Sequence, residues 1–233
     1  NNESNDTCVI DLSDFGFETD EKYATTKWCK NKTPRYWEVN DNFLKVVGYF
    51  ISEGSFGKSS NAKDIDISSI RFTQMSSKIE FFDVIREYFN SIGVPTSIHT
   101  RTHDNEKWND TSDIIISNKT IAMFFRMLCG EGSLHKKLHG IFMKMPIEKQ
   151  EILLDAMWYG DGNYTDYGDN IYTTISIDLA YQVREILLRL GKVSFIKCDS
   201  SGKHNVVYRV SFDNNISKTR HKHRNFIFDN YLF

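Results

Sequence analysis

The sequence lacks the features typical of membrane-spanning, secreted and zinc-binding proteins. No apolar run approaches the roughly 20 residues needed to cross a bilayer, and the N-terminus is acidic and polar rather than signal-like. The four cysteines are scattered without paired spacing, which argues against a disulfide framework and against a zinc site. These absences predict a soluble intracellular protein with reduced thiols and no membrane partner, cytoplasmic or, in a eukaryote, organellar or nuclear.

The chain also lacks an excess of positive charge. Its formal net charge is −2, which is not typical of a protein that binds a polyanion. The charge is unevenly distributed, because residues 1–21 carry seven acids and no Lys or Arg, whereas residues 184–224 carry ten Lys or Arg against three acids. The basic region can therefore face a polyanion while the acidic leader lies elsewhere, and a solvated charged surface is the alternative.

Two nine-residue runs, one in each half of the chain, share a pattern. Residues 46–54 read Val-Val-Gly-Tyr-Phe-Ile-Ser-Glu-Gly, and residues 154–162 read Leu-Asp-Ala-Met-Trp-Tyr-Gly-Asp-Gly. Each is a largely apolar helical run with two small residues four positions apart, then an acid, then glycine. Residues four apart share a helix face, so each run offers a stripe where a second backbone can approach closely. The glycine predicts a helix end in the left-handed conformation.

Packing these two helices together would bring Glu53 and Asp161 side by side at the helix ends. Two carboxylates that close are unfavourable unless a cation lies between them, and a hard divalent ion with oxygen ligands is the simplest candidate. Taken alone, each run is more typical of a core helix with a solvated acid at its end. The repetition at domain-sized spacing favours a paired site.

The paired runs resemble the motif of the LAGLIDADG, or dodecapeptide, family of homing endonucleases, position by position. The first run ends Ser-Glu-Gly rather than Ala-Asp-Gly, and Ile51 and Tyr159 stand where the family name has its first acid. The resemblance implies an α+β monomer of two pseudo-twofold-related αββαββα-type lobes, with a saddle of antiparallel sheets and the motif helices packed at the lobe interface. We accordingly expect an acidic N-terminal extension over residues 1–40, a first lobe over 41–147 and a second over 148–233.

The resemblance also implies a metal-dependent nuclease site. The two terminal acids, Glu53 and Asp161, would hold Mg²⁺, with Mn²⁺ as the alternative, at the scissile phosphates of the two DNA strands. The main-chain carbonyls of the residues before them, Ser52 and Gly160, would complete the ligand set.

A lysine near each metal is the next expected element, since it can stabilise charge on the phosphate oxygens or orient water. Residues 144–147, Lys-Met-Pro-Ile, look like the Lys-x-Pro element that precedes the second motif in intein-borne members of the family. The resemblance therefore predicts Lys144 as the active-site lysine of the first lobe, with an exposed loop lysine as the alternative. The second-lobe lysine is expected in the basic run, where Lys222 or Lys218 could serve.

Both halves repeat one plan of motif helix, strands, helix and strands. Apolar periodicity predicts helices over residues 77–92 and 178–191, the second capped by Asp178, and strands at 69–74, 96–103, 113–118, 171–177, 193–198 and 206–212.

Alternation along these strands predicts a polar sheet face that can enter a major groove and read base edges. An ordinary solvated face of an antiparallel sheet is the alternative for each residue on it. The predicted DNA-binding residues are Arg71, His99, Arg101, Lys197 and Arg209 on strands, and Lys218, Arg220 and Arg224 in the basic run.

The sequence therefore favours a Mg²⁺-dependent homing endonuclease that hydrolyses both strands of a long, asymmetric double-stranded DNA site. The alternative is a catalytically silent nucleic-acid-binding protein of the same fold, such as an RNA maturase or a DNA-binding regulator. A structural or interaction module that binds no nucleic acid is a third hypothesis, favoured only by the net charge. Intein-derived, intron-encoded and freestanding origins all remain open.

Overall fold

The computed structural model of the protein describes residues 8–27, 29, 31–58, 67–102, 109–164, 169–200 and 206–213. These residues form a small β-rich segment followed by two lobes of helices and antiparallel sheet. No helix within these ranges is long and apolar enough to cross a membrane.

The β-rich segment, residues 8–39, contains β1 (Val9–Asp11), β2 (Glu18–Thr19), β3 (Tyr23–Thr25), β4 (Thr33–Pro34) and β5 (Tyr36–Glu38). β1 pairs with β5, and β2, β3 and β4 form a second small sheet. Trp37 on β5 is only 1% exposed. Its indole contacts four rings of the first lobe, those of Phe43, Tyr88, Phe89 and Phe124. The extension expected over residues 1–40 is thus, in its described part, packed onto the helices of the first lobe.

The first lobe follows the order helix, two strands, helix, two strands, helix. Its elements are α1 (Asp41–Glu53), β6 (Gly54–Lys58), β7 (Ile67–Met75), α2 (Ile79–Ser91), β8 (Ser97–Arg101), β9 (Thr111–Ile116) and α3 (Lys119–Cys129). A short helix, α4 (Gly140–Met143), leads to the second lobe. That lobe contains α5 (Ile147–Asp161), β10 (Gly162–Tyr164), β11 (Asp169–Thr174), α6 (Ile177–Arg189), β12 (Ser194–Asp199) and β13 (Val207–Asp213).

The two sheets have the same topology. Their strand orders are β6-β7-β9-β8 and β10-β11-β13-β12, and every pairing is antiparallel. Helices cover one face of each sheet, because apolar residues such as Phe72, Ile114 and Val210 point inward and are buried. The predicted α+β class and the pseudo-twofold repeat of two lobes are confirmed.

Some predicted element bounds shift by one or two residues. The helix expected to begin at Ser77 begins at Ile79, without a side-chain cap. The helix expected to be capped by Asp178 begins at Ile177, and its N-cap is Ser176, whose hydroxyl accepts a hydrogen bond from the Leu179 N–H. Asp178 therefore lies in the first helical turn, where its negative charge interacts favourably with the positive end of the helix dipole.

The lobe interface is the contact between α1 and α5, and it depends on small residues at two levels. A Cβ built on Gly48 would lie 2.6 Å from the Ala156 Cβ and 2.7 Å from the Leu153 carbonyl oxygen. One turn further along, a Cβ built on Gly160 would collide with the Ser52 side chain. The helices therefore approach as closely as the small-residue stripes predict.

We expect Gly48→Ala to weaken this interface, because the added methyl meets backbone atoms of α5 that no side-chain rotation can move. The expected loss is about 1–3 kcal/mol in the free energy of unfolding, measured by urea denaturation. Gly140→Ala is the matched control, since a Cβ at Gly140 has no atom within 4 Å and lies in a short helix. Equal unfolding free energies for Gly48→Ala and the unmodified protein would contradict the tight interface.

Candidate functional site

The acids of the two motifs are the last residues of their helices. α1 ends at Glu53 and α5 ends at Asp161, and the following glycines begin β6 and β10. Gly54 and Gly162 have φ of −84° and −88°, so the prediction that these glycines are left-handed is wrong. Glycine is needed there for space instead: a Cβ at Gly54 would collide with the Phe50 ring, and one at Gly162 with the indole of Trp158.

The structure brings Glu53 and Asp161 to one place, as the motif pattern predicts. A Cβ built on Gly160 would lie 3.1 Å from the Glu53 Cγ, so the last turn of α5 contacts this side chain directly. The pKa of Asp161 is raised to about 6. Burial is the largest cause, the charge of nearby Lys136 opposes the rise, and the charge of Glu53 adds to it. Asp161 nevertheless keeps an exposed face that a ligand can reach.

Each acid has one neighbour on the first long strand of its own lobe. Gln74 on β7 donates from Nε2 to the Glu53 Oε1 at 3.0 Å. Burial raises the pKa of Glu53, and the Gln74 hydrogen bond and Lys136 oppose that rise. Tyr172 on β11 is fully buried, and its hydroxyl interacts with Asp161, which helps to lower the pKa of that acid. Neither residue is predicted at the site from the sequence, although both are polar groups at inward strand positions.

Lys136 is the basic residue that the structure places at the acid pair. Its Nζ donates to the Ser52 carbonyl oxygen at 3.1 Å. Burial lowers the pKa of Lys136, whereas Asp161, Cys129 and Glu53 raise it. An ammonium thus lies within electrostatic reach of both carboxylates, and it contacts a carbonyl that the resemblance assigns to the metal.

The loop that carries Lys136 is fixed from both lobes. The Lys137 N–H donates to the Cys129 carbonyl at 3.0 Å, which ties the loop back to the end of α3. From the second lobe, the Ser176 hydroxyl donates to the Lys136 carbonyl at 2.5 Å. In addition, the Gln182 side-chain amide pairs with both the N–H and the carbonyl of Leu138. The sequence does not identify Lys136 as a site residue, because two adjacent lysines are typical of a solvated surface loop.

The structure does not bring Lys144, the lysine predicted from the sequence, to the carboxylates. Lys144 is exposed and lies just before α5, at the opposite end of that helix from Asp161. A helix of 15 residues is about 22 Å long at 1.5 Å per residue, which separates the two side chains. Lys144 instead lies near His139. The pKa of His139 is lowered, mainly by burial and in addition by the charges of Lys137 and Lys144.

The predicted DNA-binding residues on strands all lie on the sheet sides that face away from the helices, which we call the outward faces. The outward faces carry, in the first lobe, Arg71, Thr73, His99, Arg101 and Asp113 and, in the second, Thr173, Lys197, Asp199 and Arg209. The basic run lies outside the described residues, and with it the predicted residues Lys218, Arg220, Lys222 and Arg224.

Acids on the outward faces hold several of these cations. Arg101 Nη2 donates to Asp113 Oδ2 at 2.5 Å, and Arg71 Nε lies 4.0 Å from the same oxygen. Burial alone would raise the pKa of Asp113, but hydrogen bonds from Thr73 and Arg101 and the two positive charges together lower it. Each outward face therefore combines cations with fixed acids, and the first-lobe acid stays ionised.

The donor set at the acid pair suits a hard cation. Two carboxylates and the carbonyls of Ser52 and Gly160 are all oxygen ligands, which Mg²⁺, Mn²⁺ and Ca²⁺ prefer. Among the residues that the structure describes, no cluster of three or more His, Cys, Asp or Glu could form a complete protein cage. A metal here would therefore draw its remaining ligands from water or substrate.

Known proteins with similar sequences are much longer chains, each of which matches this chain over one part of its length. The ATP-dependent DNA helicase Hel308 of Thermococcus kodakarensis is 27% identical over 191 residues, covering 77% of this chain and 15% of the helicase. The uncharacterized protein MJ1054 of Methanocaldococcus jannaschii is 23% identical over 181 residues, covering 74% of this chain and 19% of that protein. The chain thus spans less than a quarter of these relatives.

Solved structures of a homing endonuclease share the fold. A structure of mesophilic variants of I-DmoI superposes with a TM-score of 0.58 at 18% identity, covering 76% of this chain and 90% of that one. The structure of I-DmoI in complex with DNA and Mn gives a TM-score of 0.57 at 18% identity, covering 75% and 90%.

The family model that matches the chain agrees with the motifs and with the repeated lobes. The model of the LAGLIDADG-like domain matches residues 14–129 and 148–224, which is most of the chain and includes both acids. The chain therefore belongs to the family of LAGLIDADG-like domains.

Proposed function

We propose that the protein is a metal-dependent endonuclease that cleaves both strands of a long, asymmetric double-stranded DNA site. The observation that carries the proposal is the junction of α1 and α5, where two repeated lobes place Glu53 and Asp161 together beside the ammonium of Lys136. The chain would act as a monomer, because its two lobes already supply one acid for each DNA strand.

In this proposal Glu53 and Asp161 hold the divalent ion, with the carbonyls of Ser52 and Gly160 as further oxygen ligands. Mg²⁺ is the proposed ion and Mn²⁺ the alternative. The structures of I-DmoI in complex with DNA and Mn and with DNA and Ca are consistent with a divalent ion in this fold. Such an ion activates water and neutralises the leaving oxygen in phosphodiester hydrolysis.

The neighbouring residues would prepare the acids for this role. Gln74 fixes the orientation of the Glu53 carboxylate through its 3.0 Å hydrogen bond, and the buried Tyr172 hydroxyl lowers the pKa of Asp161. Lys136 supplies a positive charge that can stabilise a phosphate oxygen as negative charge develops. We propose Lys136 for the role that the sequence assigned to Lys144.

The outward faces of the two sheets would read the DNA. Strands of an antiparallel sheet fit a major groove, and side chains at alternate positions reach base edges and phosphates. We propose this role for Arg71, His99, Arg101, Lys197 and Arg209. The basic run at 217–224 would add phosphate contacts, which supply affinity without sequence information.

The first test replaces each acid by its amide, with the target first selected from a randomised DNA pool. We expect Glu53→Gln and Asp161→Asn to retain DNA binding and to lose cleavage by roughly 100-fold or more, because the amides bind the ion poorly. Asp155→Asn is the matched control: it changes an exposed acid of the same helix α5. Undiminished cleavage by both amide variants would refute the metal assignment, and binding without cleavage by the unmodified protein would support the catalytically silent alternative.

A second test separates the two candidate lysines. We expect Lys136→Met to lower the cleavage rate by roughly 100-fold at unchanged DNA affinity, because it removes the positive charge beside the acids. Lys144→Met should leave the rate within about threefold, since Lys144 lies at the far end of α5. Single-turnover cleavage at saturating protein measures the rate apart from binding. The opposite ranking of the two variants would restore the sequence-based assignment of Lys144.

A third test uses the pKa of Asp161, which burial raises from 3.8 to about 6 in the metal-free protein. The folded state holds this proton more tightly than the unfolded state, so the stabilisation is complete below pH 3.8 and is lost as pH rises through about 6. We therefore expect Asp161→Asn to have a higher urea midpoint than the unmodified protein at pH 7.5 in EDTA. Mg²⁺ should raise only the midpoint of the unmodified protein.

The control for this stability test is Asp83→Asn, which removes an exposed acid of α2 that pairs with Arg86 at 2.6 Å. It should shift the midpoint equally with and without Mg²⁺. If Asp161→Asn followed the same pH dependence as the unmodified protein, desolvation of Asp161 would not contribute to stability.

A further inference from the structure

The strand registers define which residues of the two lobes are equivalent. Gly54, which follows Glu53, pairs with Phe72, and Gly162, which follows Asp161, pairs with Tyr172. Phe72 on β7 and Tyr172 on β11 are therefore equivalent positions, and the remaining strands of each sheet can be matched from them.

One residue further along, a row of three outward residues crosses each sheet. In the first lobe the row is Thr73, Asp113 and His99 on β7, β9 and β8. In the second lobe it is Thr173, Arg209 and Lys197 on β11, β13 and β12. Asp113 is therefore equivalent to Arg209. Two residues beyond the last member of each row, Arg101 on β8 is equivalent to Asp199 on β12.

Both lobes thus contain the same inter-strand ion pair with its charges exchanged. In the first lobe the acid, Asp113, is on the inner strand and the arginine, Arg101, is on the edge strand, with 2.5 Å between Nη2 and Oδ2. In the second lobe the arginine, Arg209, is on the inner strand and bonds to Asp199 on the edge strand. The backbone is therefore the same in both lobes, but the arginine of the pair lies on the edge strand in the first lobe and on the inner strand in the second.

In each pair the arginine is the more exposed partner. The Arg101 side chain is 55% exposed against 6% for Asp113, and that of Arg209 is 45% exposed against 32% for Asp199. A guanidinium has five N–H donors, so one that bonds to a carboxylate keeps donors free for a second partner. In the major groove, the partner that matches a guanidinium is the O6 and N7 edge of guanine.

We propose that the two ion pairs are guanine-reading elements and that their charge exchange makes the lobes read positions that are not related by the pseudo-twofold axis. This inference rests on the proposed DNA-cleaving function. Asp113 and Asp199 are positioning residues that fix the arginines before DNA binds. The two residues of each pair lie diagonally opposite each other on neighbouring strands, at a separation of about 7–8 Å. Exchanging their charges therefore displaces the cation by about the length of two base steps of about 3.4 Å each.

The decisive experiment gives the first lobe the charge order of the second. The double variant Arg101→Asp/Asp113→Arg keeps the net charge and can re-form the ion pair, and its base preferences are profiled on a randomised DNA pool beside the unmodified protein. We expect the guanine preference of one half-site to move to the mirror of the position read by Arg209. The other half-site should be unchanged. A double variant whose preferences do not move would overturn the inference.

Single variants decide the same question if the double variant does not fold. We expect Arg101→Gln and Arg209→Gln each to lower discrimination for guanine at one position by roughly 5- to 100-fold, in different half-sites. Asp113→Asn and Asp199→Asn should lower this discrimination at the same positions as the variants of their arginine partners. Equal effects on both half-sites would overturn the inference.

Asp83→Asn is the matched control, because it breaks an Asp–Arg pair on α2 rather than on an outward face. It should leave every base preference unchanged. If the unmodified protein neither bound nor cut any DNA in the pool, the proposed function itself would fail. Binding and cleavage with profiles that the variants leave unmoved would remove only the inference on the ion pairs.

Discussion

The close approach of α1 and α5 fixes how the two lobes meet and where their acids lie. Only a glycine fits at Gly48 against Ala156, and only a glycine fits at Gly160 against Ser52. Because the two helices cross at such short range, their last residues, Glu53 and Asp161, come together. The same helix contact therefore holds the lobes together and places the acids side by side. Any change that moves the two helices apart would also separate the carboxylates.

Two carboxylates in a partly desolvated position need a counter-charge, and the chain supplies one from its own residues. The ammonium of Lys136 lowers the pKa of both Glu53 and Asp161, and its hydrogen bond to the Ser52 carbonyl holds it beside them. The loop that carries it is bonded to both lobes. In the proposed endonuclease, the same charge would also be available to a phosphate oxygen of the DNA.

The sequence predicts the elements whose signals are local and repeated. Residues only two to four positions apart in the sequence determine the two motif helices, their small-residue stripes and the strand alternation. The fold, the acid pair and the outward position of Arg101 and Arg209 follow from these patterns. Lys136 could not be found this way, because a loop that returns over α3 sets its position through long-range hydrogen bonds. Lys144 was assigned through a Lys-x-Pro resemblance, and the length of α5 places it at the far end of the helix.

The pseudo-twofold repeat is kept most strictly in the backbone and least strictly in the side chains around the site. Strand order and pairing are the same in both lobes, yet the position of Gln74 beside Glu53 corresponds to Thr174 in the second lobe. The exchanged ion pairs on the outward faces follow the same rule. In the proposed complex with DNA, a duplicated backbone would be sufficient to place one acid at each strand of a duplex, since the two phosphodiester backbones are themselves related by symmetry. Base sequence has no such symmetry, so a single chain can vary its outward side chains lobe by lobe while the acids stay paired.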